Sequence, residues 1–134
     1  MTVRLSFGVA AELKMTLLVV EDDEAVRELI VTTLTGAGYA VTTAKDGVDA
    51  LDMLRTSTPE GILLDINMPR MDGFSLLQHL QRNAETRDLP VLMLTAQTDP
   101  EDIRRGVLLG ARDFIGKPFQ PRQLLRRVGK MLGA

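Results

Sequence analysis

The stretch Leu17-Leu18-Val19-Val20-Glu21-Asp22-Asp23 decides the fold. Four apolar residues in a row end abruptly in three carboxylates. A half-buried strand would alternate apolar and polar residues, so a short unbroken run reads as a strand covered on both faces of a parallel sheet. The form recurs along the chain. Ile62-Leu63-Leu64 ends in Asp65, Val91-Leu92-Met93-Leu94 ends in Thr95, and Phe114-Ile115-Gly116 leads into Lys117-Pro118. In parallel sheets the functional groups gather at the carboxyl ends of the strands. Set side by side, these ends bring up to four carboxylates, a hydroxyl and an ammonium into one cleft. Such a cleft suits a divalent cation and a phosphoryl group.

Working outward, apolar runs alternate with amphipathic segments. Ala25, Val26, Leu29, Ile30, Val31 and Leu34 recur at helical spacing until Gly36 and Gly38 stop them. Tyr39–Thr43 reads as a β-branched strand, and the Asp46-Gly47 turn opens a second helix marked by Val48, Ala50, Leu51 and Leu54. Gly61–Leu64 is a strand, and a third helix opens at Gly73. Pro90–Leu94 is a strand followed by a helix from about Pro100 to Leu109. Arg112–Gly116 is a fifth strand, and Gln120–Leu132 a last helix. Five βα units in succession predict an α/β fold: a doubly wound parallel sheet with right-handed crossovers and helices on both faces.

The 134 residues fit one domain able to bury a core, with 45% hydrophobic and 25% charged residues. Cysteine is absent, which excludes disulfides and thiolate chemistry, and a single histidine, His79, excludes a multi-histidine metal site. His79 itself reads as an exposed helix residue, and the seven methionines as core filler. No apolar run is long enough to span a membrane, no secretory signal opens the chain, and a cytoplasmic location is expected. The net charge of −2 conceals an asymmetry, since residues 101–134 carry 8 Lys+Arg against 3 Asp+Glu. A solvated helix face plus one site lysine accounts for this excess; no nucleic-acid-binding signature accompanies it.

Residues 1–14 stand outside the beat. Val3, Leu5, Phe7 and Val9 alternate with polar or small residues, a strand-like period. Met15 could itself be a natural start, so the segment is read as a disordered extension or a mis-assigned start. The alternative is an added edge strand. The expected division is an extension, 1–14, and one domain, 15–134.

LLVVEDDE at Leu17–Glu24, ILLDINMPRMDGF at Ile62–Phe74, VLMLTA at Val91–Ala96 and GARDFIGKPF at Gly110–Phe119 occur in this order. Over residues 15–134 the chain resembles the receiver domain of two-component response regulators. The resemblance implies a flavodoxin-like (βα)5 fold with strand order 2-1-3-4-5. It also implies a phosphoacceptor signalling protein, not an enzyme, which catalyses only its own phosphorylation and dephosphorylation. Its partners would be a sensor histidine kinase or a histidine phosphotransfer protein, together with a downstream protein target. Direct contact with nucleic acid or membrane is not expected, and the state would be a monomer or weak dimer. For the charged dimer face found in some relatives, Asp113 and Arg127 fit, whereas Ile103, Arg112 and Gln123 do not. The chain is either a stand-alone receiver or a receiver fragment.

By the same resemblance Asp65 is the phosphoryl acceptor, and Mg²⁺ is the cofactor. A carboxylate attacks phosphate poorly because both are negative, so cations must surround it. Asp22 and Asp65 would bind Mg²⁺ directly, Glu21 partly through water, and Asn67 through its backbone carbonyl. Asp23 reads instead as a helix cap. Lys117 would contact first the Asp65 carboxylate and then its phosphoryl oxygen, beside a cis Lys117-Pro118 bond. Thr95 would donate to a phosphoryl oxygen, and Ala96 would leave the site open. Phe114 is either a fixed core aromatic or a switch that packs inward as Thr95 moves. Asn67 and Gln97 would flank the water that removes the phosphoryl group and so tune dephosphorylation. Pro69 and Gly73 shape the loop after Asp65.

Two rival functions share part of this residue set. A haloacid-dehalogenase-like aspartyl phosphatase needs a second acid two residues after its nucleophile, where this chain has Asn67. A degenerate receiver serving only as a docking scaffold would not need Glu21, Asp22, Asp65, Thr95 and Lys117 together.

Overall fold

A computed structural model describes residues 2–4, 10–12, 14–96 and 99–133. The elements in chain order are β1 (Thr2–Arg4), β2 (Ala10–Glu12), β3 (Thr16–Val20), α1 (Glu24–Gly36), β4 (Ala40–Ala44), α2 (Gly47–Leu54), β5 (Gly61–Asp65), α3 (Gly73–Arg82), β6 (Val91–Thr95), α4 (Pro100–Leu108), β7 (Asp113–Gly116) and α5 (Pro121–Met131). β3 to β7 form one parallel sheet in the order β4-β3-β5-β6-β7. Counted within that sheet alone, the order is 2-1-3-4-5, as expected. β1 and β2 pair antiparallel in a sheet of their own, with Val3 opposite Ala11. Leu5, Phe7 and Val9, on which the alternation also rested, lie outside the described residues.

Successive side chains of a strand point to opposite faces, so each unbroken apolar run feeds two cores. Leu18, Val20, Ile62, Leu64, Val91 and Met93 face α2 and α3, where Ala50, Phe74, Leu76, Leu77 and Leu80 are buried against them. Leu17, Val19, Leu63, Leu92 and Leu94 face the other way, onto Ile30 and Leu34 of α1 and Leu124, Val128 and Met131 of α5. Both β5 and β6 are buried along their whole length. The edge strand β4 is half exposed. It begins one residue later than its composition suggests, because the Tyr39 N–H closes α1 on the Leu34 carbonyl at 3.1 Å before pairing starts.

Aspartates start four helices. Asp23, Asp46, Asp72 and Asp99 cap α1, α2, α3 and α4, accepting from Val26, Asp49, Ser75 and Glu101 N–H at 3.1, 2.9, 2.8 and 2.9 Å. Each carboxylate satisfies an orphan donor of the first turn and meets the positive end of the helix dipole. Asp23 is therefore structural, as its sequence position suggests. α5 opens instead with Pro121, whose missing N–H costs nothing at a first helical position.

Candidate functional site

β3 lies between β4 and β5, so the chain path reverses at β3 and β5 and leaves a crevice beyond their carboxyl ends. β3 delivers Glu21 and Asp22 to it, and β5 delivers Asp65. Glu21 and Asp65 are buried, at 0% and 2% exposure, while Asp22 is exposed. One carboxylate oxygen from each of the three lies within 4.8 Å of the others.

Lys117 follows β7, two strands away from β5, and its side chain crosses the end of β6. Its backbone N–H donates to the Thr95 carbonyl at 2.6 Å. Its Nζ donates to Glu21 Oε1 at 2.8 Å and lies 3.1 Å from Asp65 Oδ1. The second oxygen of Glu21 accepts from Asp23 N–H at 3.1 Å. The Lys117-Pro118 bond is cis, as the resemblance implied. Thr95 is buried at the end of β6, and Ala96 beyond it is exposed.

These distances set the charge states. Burial, then hydrogen bonding and charge repulsion from Glu21, push the Asp65 carboxyl up to about 7, against the pull of Lys117. Burial acts to lower the Lys117 ammonium, but Glu21 and Asp65 outweigh it and hold the group above its ordinary value. Two buried carboxylates sharing one ammonium remain short of positive charge. A hard divalent cation with oxygen ligands fits this deficit, and exposed Asp22 leaves an open side for water and phosphate oxygens.

The loop after Asp65 is tightly seated. Gly73 N–H donates to the Ile66 carbonyl at 2.9 Å, and a Cβ on Gly73 would lie 2.3 Å from the Asp65 carbonyl oxygen. Asn67 is exposed, and its backbone N–H donates to Asp65 Oδ1 at 3.4 Å. Phe114 is half-buried, and a Cβ on Gly106 of α4 would lie 2.5 Å from its ring. Gln97 lies outside the described residues. His79 is exposed on α3. Asp113 and Arg127, the two charges that fit a dimer face, pair within the chain at 2.9 Å.

Two contacts escaped sequence reading. Arg27 of α1 donates to the Glu21 carbonyl at 2.9 Å and holds the acidic loop from behind. Arg70, in the loop after Asp65, donates to Asp46 at 2.6 Å and to Asp49 at 3.0 Å. Arg27 lies outside the four motifs, and Arg70, though inside the stretch Ile62–Phe74, has partners in another loop that no periodicity or motif ties to it.

The response regulator receiver domain family matches residues 17–129. Response regulator MprA of Mycobacterium avium (strain 104) is 42% identical over 88% of this chain and 51% of its own length. A probable transcriptional regulator, ycf27, of Guillardia theta is 38% identical over 90% of this chain and 46% of its own. The chain thus spans about half the length of the curated relatives it matches. Among solved structures, a putative response regulator from Chloroflexus aurantiacus J-10-fl superposes with a TM-score of 0.87 at 38% identity, covering 91% of this chain and all (100%) of that one. The chemotaxis protein CheY4 of Vibrio cholerae gives 0.86 at 34% identity, covering 89% and 99%. The receiver domain of the sensor histidine kinase PA1611 of Pseudomonas aeruginosa PAO1, solved with magnesium in its active-site cleft, gives 0.83 at 28%, covering 91% and 100%. With a flavodoxin-like sheet carrying acids and a lysine at its strand ends, this chain belongs to the receiver domains of two-component response regulators.

Proposed function

We propose that this chain accepts a phosphoryl group on Asp65 from the phosphohistidine of a sensor histidine kinase or histidine phosphotransfer protein, and then switches its contacts with a downstream protein. The convergence of Glu21, Asp22, Asp65 and Lys117 at neighbouring strand ends carries the reading. An Asp65 oxygen attacks phosphorus, the P–N bond breaks, and its electron pair returns to the imidazole. Glu21 and Asp22, with Asp65 and the Asn67 carbonyl, would hold Mg²⁺. Bound there, the ion would neutralise charge between the carboxylate and the phosphoryl oxygens.

The chain's own groups do the rest. The Lys117 ammonium, within reach of both Glu21 and Asp65, would follow the negative charge from carboxylate to phosphoryl oxygen. Thr95 ends β6, which pairs with the acceptor strand, and its hydroxyl would donate to the phosphoryl group. Movement of Thr95 would admit Phe114 inward, away from Gly106, and so shift α4. Asn67 and Gln97 would orient the water that ends the signal.

Among the described residues no helix is long and apolar enough to cross a membrane. The relative named a probable transcriptional regulator is about twice as long as the matched region. A transcriptional output therefore belongs to the proposal for any longer chain carrying these residues, while direct nucleic-acid contact is not assigned to residues 15–134. Phosphotransfer from a panel of labelled histidine kinases tests the assignment. At least one should pass its label to this chain in a Mg²⁺-dependent way. Failure with every kinase and with acetyl phosphate would refute it.

A further inference from the structure

Arg70 has a φ of +65°, the one positive value at a non-glycine residue among those described. A side chain in this left-handed region crowds its own backbone, and such positions persist where the surroundings hold them. The turn itself gives no reason for arginine, since glycine or asparagine meets the same backbone at less cost. What Arg70 adds is a guanidinium with two partners. Its Nε donates to Asp46 Oδ2 at 2.6 Å and its Nη2 to Asp49 Oδ1 at 3.0 Å.

Asp46 is buried at 3% exposure, and its other oxygen caps α2. The hydrogen bond from Arg70 is the main force holding its carboxyl below the ordinary range. One residue along, the Met71 carbonyl accepts from Gly47 N–H at 3.3 Å, and a Cβ on Gly47 would lie 2.8 Å from Met71 Cβ. The segment after Asp65 is thus fastened twice. Gly73 ties its far end to Ile66, and Arg70 with Met71 ties its middle to the start of α2. Asn67 sits between the two fastenings and has its own backbone bond to Asp65.

Resting on the reading of Asp65 and Mg²⁺ above, we propose that Arg70 is a positioning residue whose clamp on Asp46 and Asp49 fixes the Asn67 backbone and thereby sets the affinity of the site for Mg²⁺. A backbone carbonyl is an uncharged ligand and contributes only if it is already in place. A loose loop would have to be ordered on binding, which weakens affinity. Arginine suits the task because its planar fork can engage two carboxylates at once, which a lysine ammonium on a flexible stem does less well.

Arg70→Gly separates clamp from backbone, because glycine takes the same φ without crowding and the fold is kept. Calorimetric titration of the full chain with Mg²⁺ should show binding about tenfold weaker, as for the loss of an outer partner of a metal ligand. With acetyl phosphate, the Mg²⁺ concentration for half-maximal phosphorylation should rise in proportion, while the rate at saturating Mg²⁺ changes little. Arg70→Lys should fall between. In Asp46→Asn/Asp49→Asn, adding Arg70→Gly should weaken binding no further. A lowered melting temperature with wild-type Mg²⁺ affinity would make Arg70 merely structural and overturn the inference. A wild-type chain that binds no Mg²⁺ would instead remove the reading of the site on which the inference rests.

Discussion

Glu21 and Asp65 end neighbouring strands and share one ammonium, with Lys117 Nζ 2.8 Å from the first and 3.1 Å from the second. Both acids are buried, so neither charge is dispersed by water. Lys117 comes from the far side of the sheet, and the fold alone brings the three together. Lys117→Met should therefore leave two like charges facing each other in the metal-free protein. We expect a loss of about 1–3 kcal/mol at pH 8 and a smaller loss at pH 5. Urea unfolding in EDTA at the two pH values measures it, and equal losses would show that Lys117 does not neutralise the pair.

The same pair gives a pH dependence of known sign. Asp65 titrates near 3.8 when unfolded and near 7 in the fold. Between those values the folded protein holds the extra proton, so this group's contribution to stability falls as pH rises. Asp46, Glu60 and Lys117 act outside the window from pH 5 to 8, because the first two are lowered from acidic values and the third is raised from 10.5. Asp65→Asn should then gain stability relative to wild type progressively from pH 5 to 8, in EDTA. A difference that stays flat would show that Asp65 is not held up by its neighbours.

Gly73 approaches the Asp65 carbonyl where a side chain cannot fit, and the atom in the way is backbone that cannot swing aside. Gly73→Ala should cost about 1–3 kcal/mol and slow phosphorylation, because relief of the overlap moves the acceptor residue. Chemical denaturation and acetyl phosphate labelling test both parts. Wild-type values in both would mean that the loop accommodates the methyl group.

Most of the sheet is legible in the sequence, since β3, β5 and β6 are covered on both faces and show it as unbroken apolar runs. The polar residues that end those runs mark the candidate site for the same reason, because a charge or hydroxyl at the end of a buried strand needs a purpose. What could not be read are contacts between loops. Arg70 and Asp46 are 24 residues apart, and each lies in a turn where no periodicity ties one to the other. The Asp46-Gly47 pair signals a turn, and nothing in it announces that its acid is buried beneath an arginine. The contact of Lys117 with Glu21 as well as Asp65 is equally hidden, because it depends on how far the side chain reaches past β6.

Signal lifetime offers a separate test. If Gln97 flanks the attacking water, Gln97→Leu should lengthen the phosphorylated state several-fold. A tenfold change needs only ~1.4 kcal/mol in the barrier. Phosphate release from labelled wild type and variant compares them, and identical decay would remove Gln97 from this role.

The most direct test is the identity of the acceptor. Intact-mass spectrometry after incubation with Mg²⁺ and acetyl phosphate should show one added phosphoryl group on the wild type and none on Asp65→Asn. Equal labelling of the two proteins would contradict the assignment of Asp65.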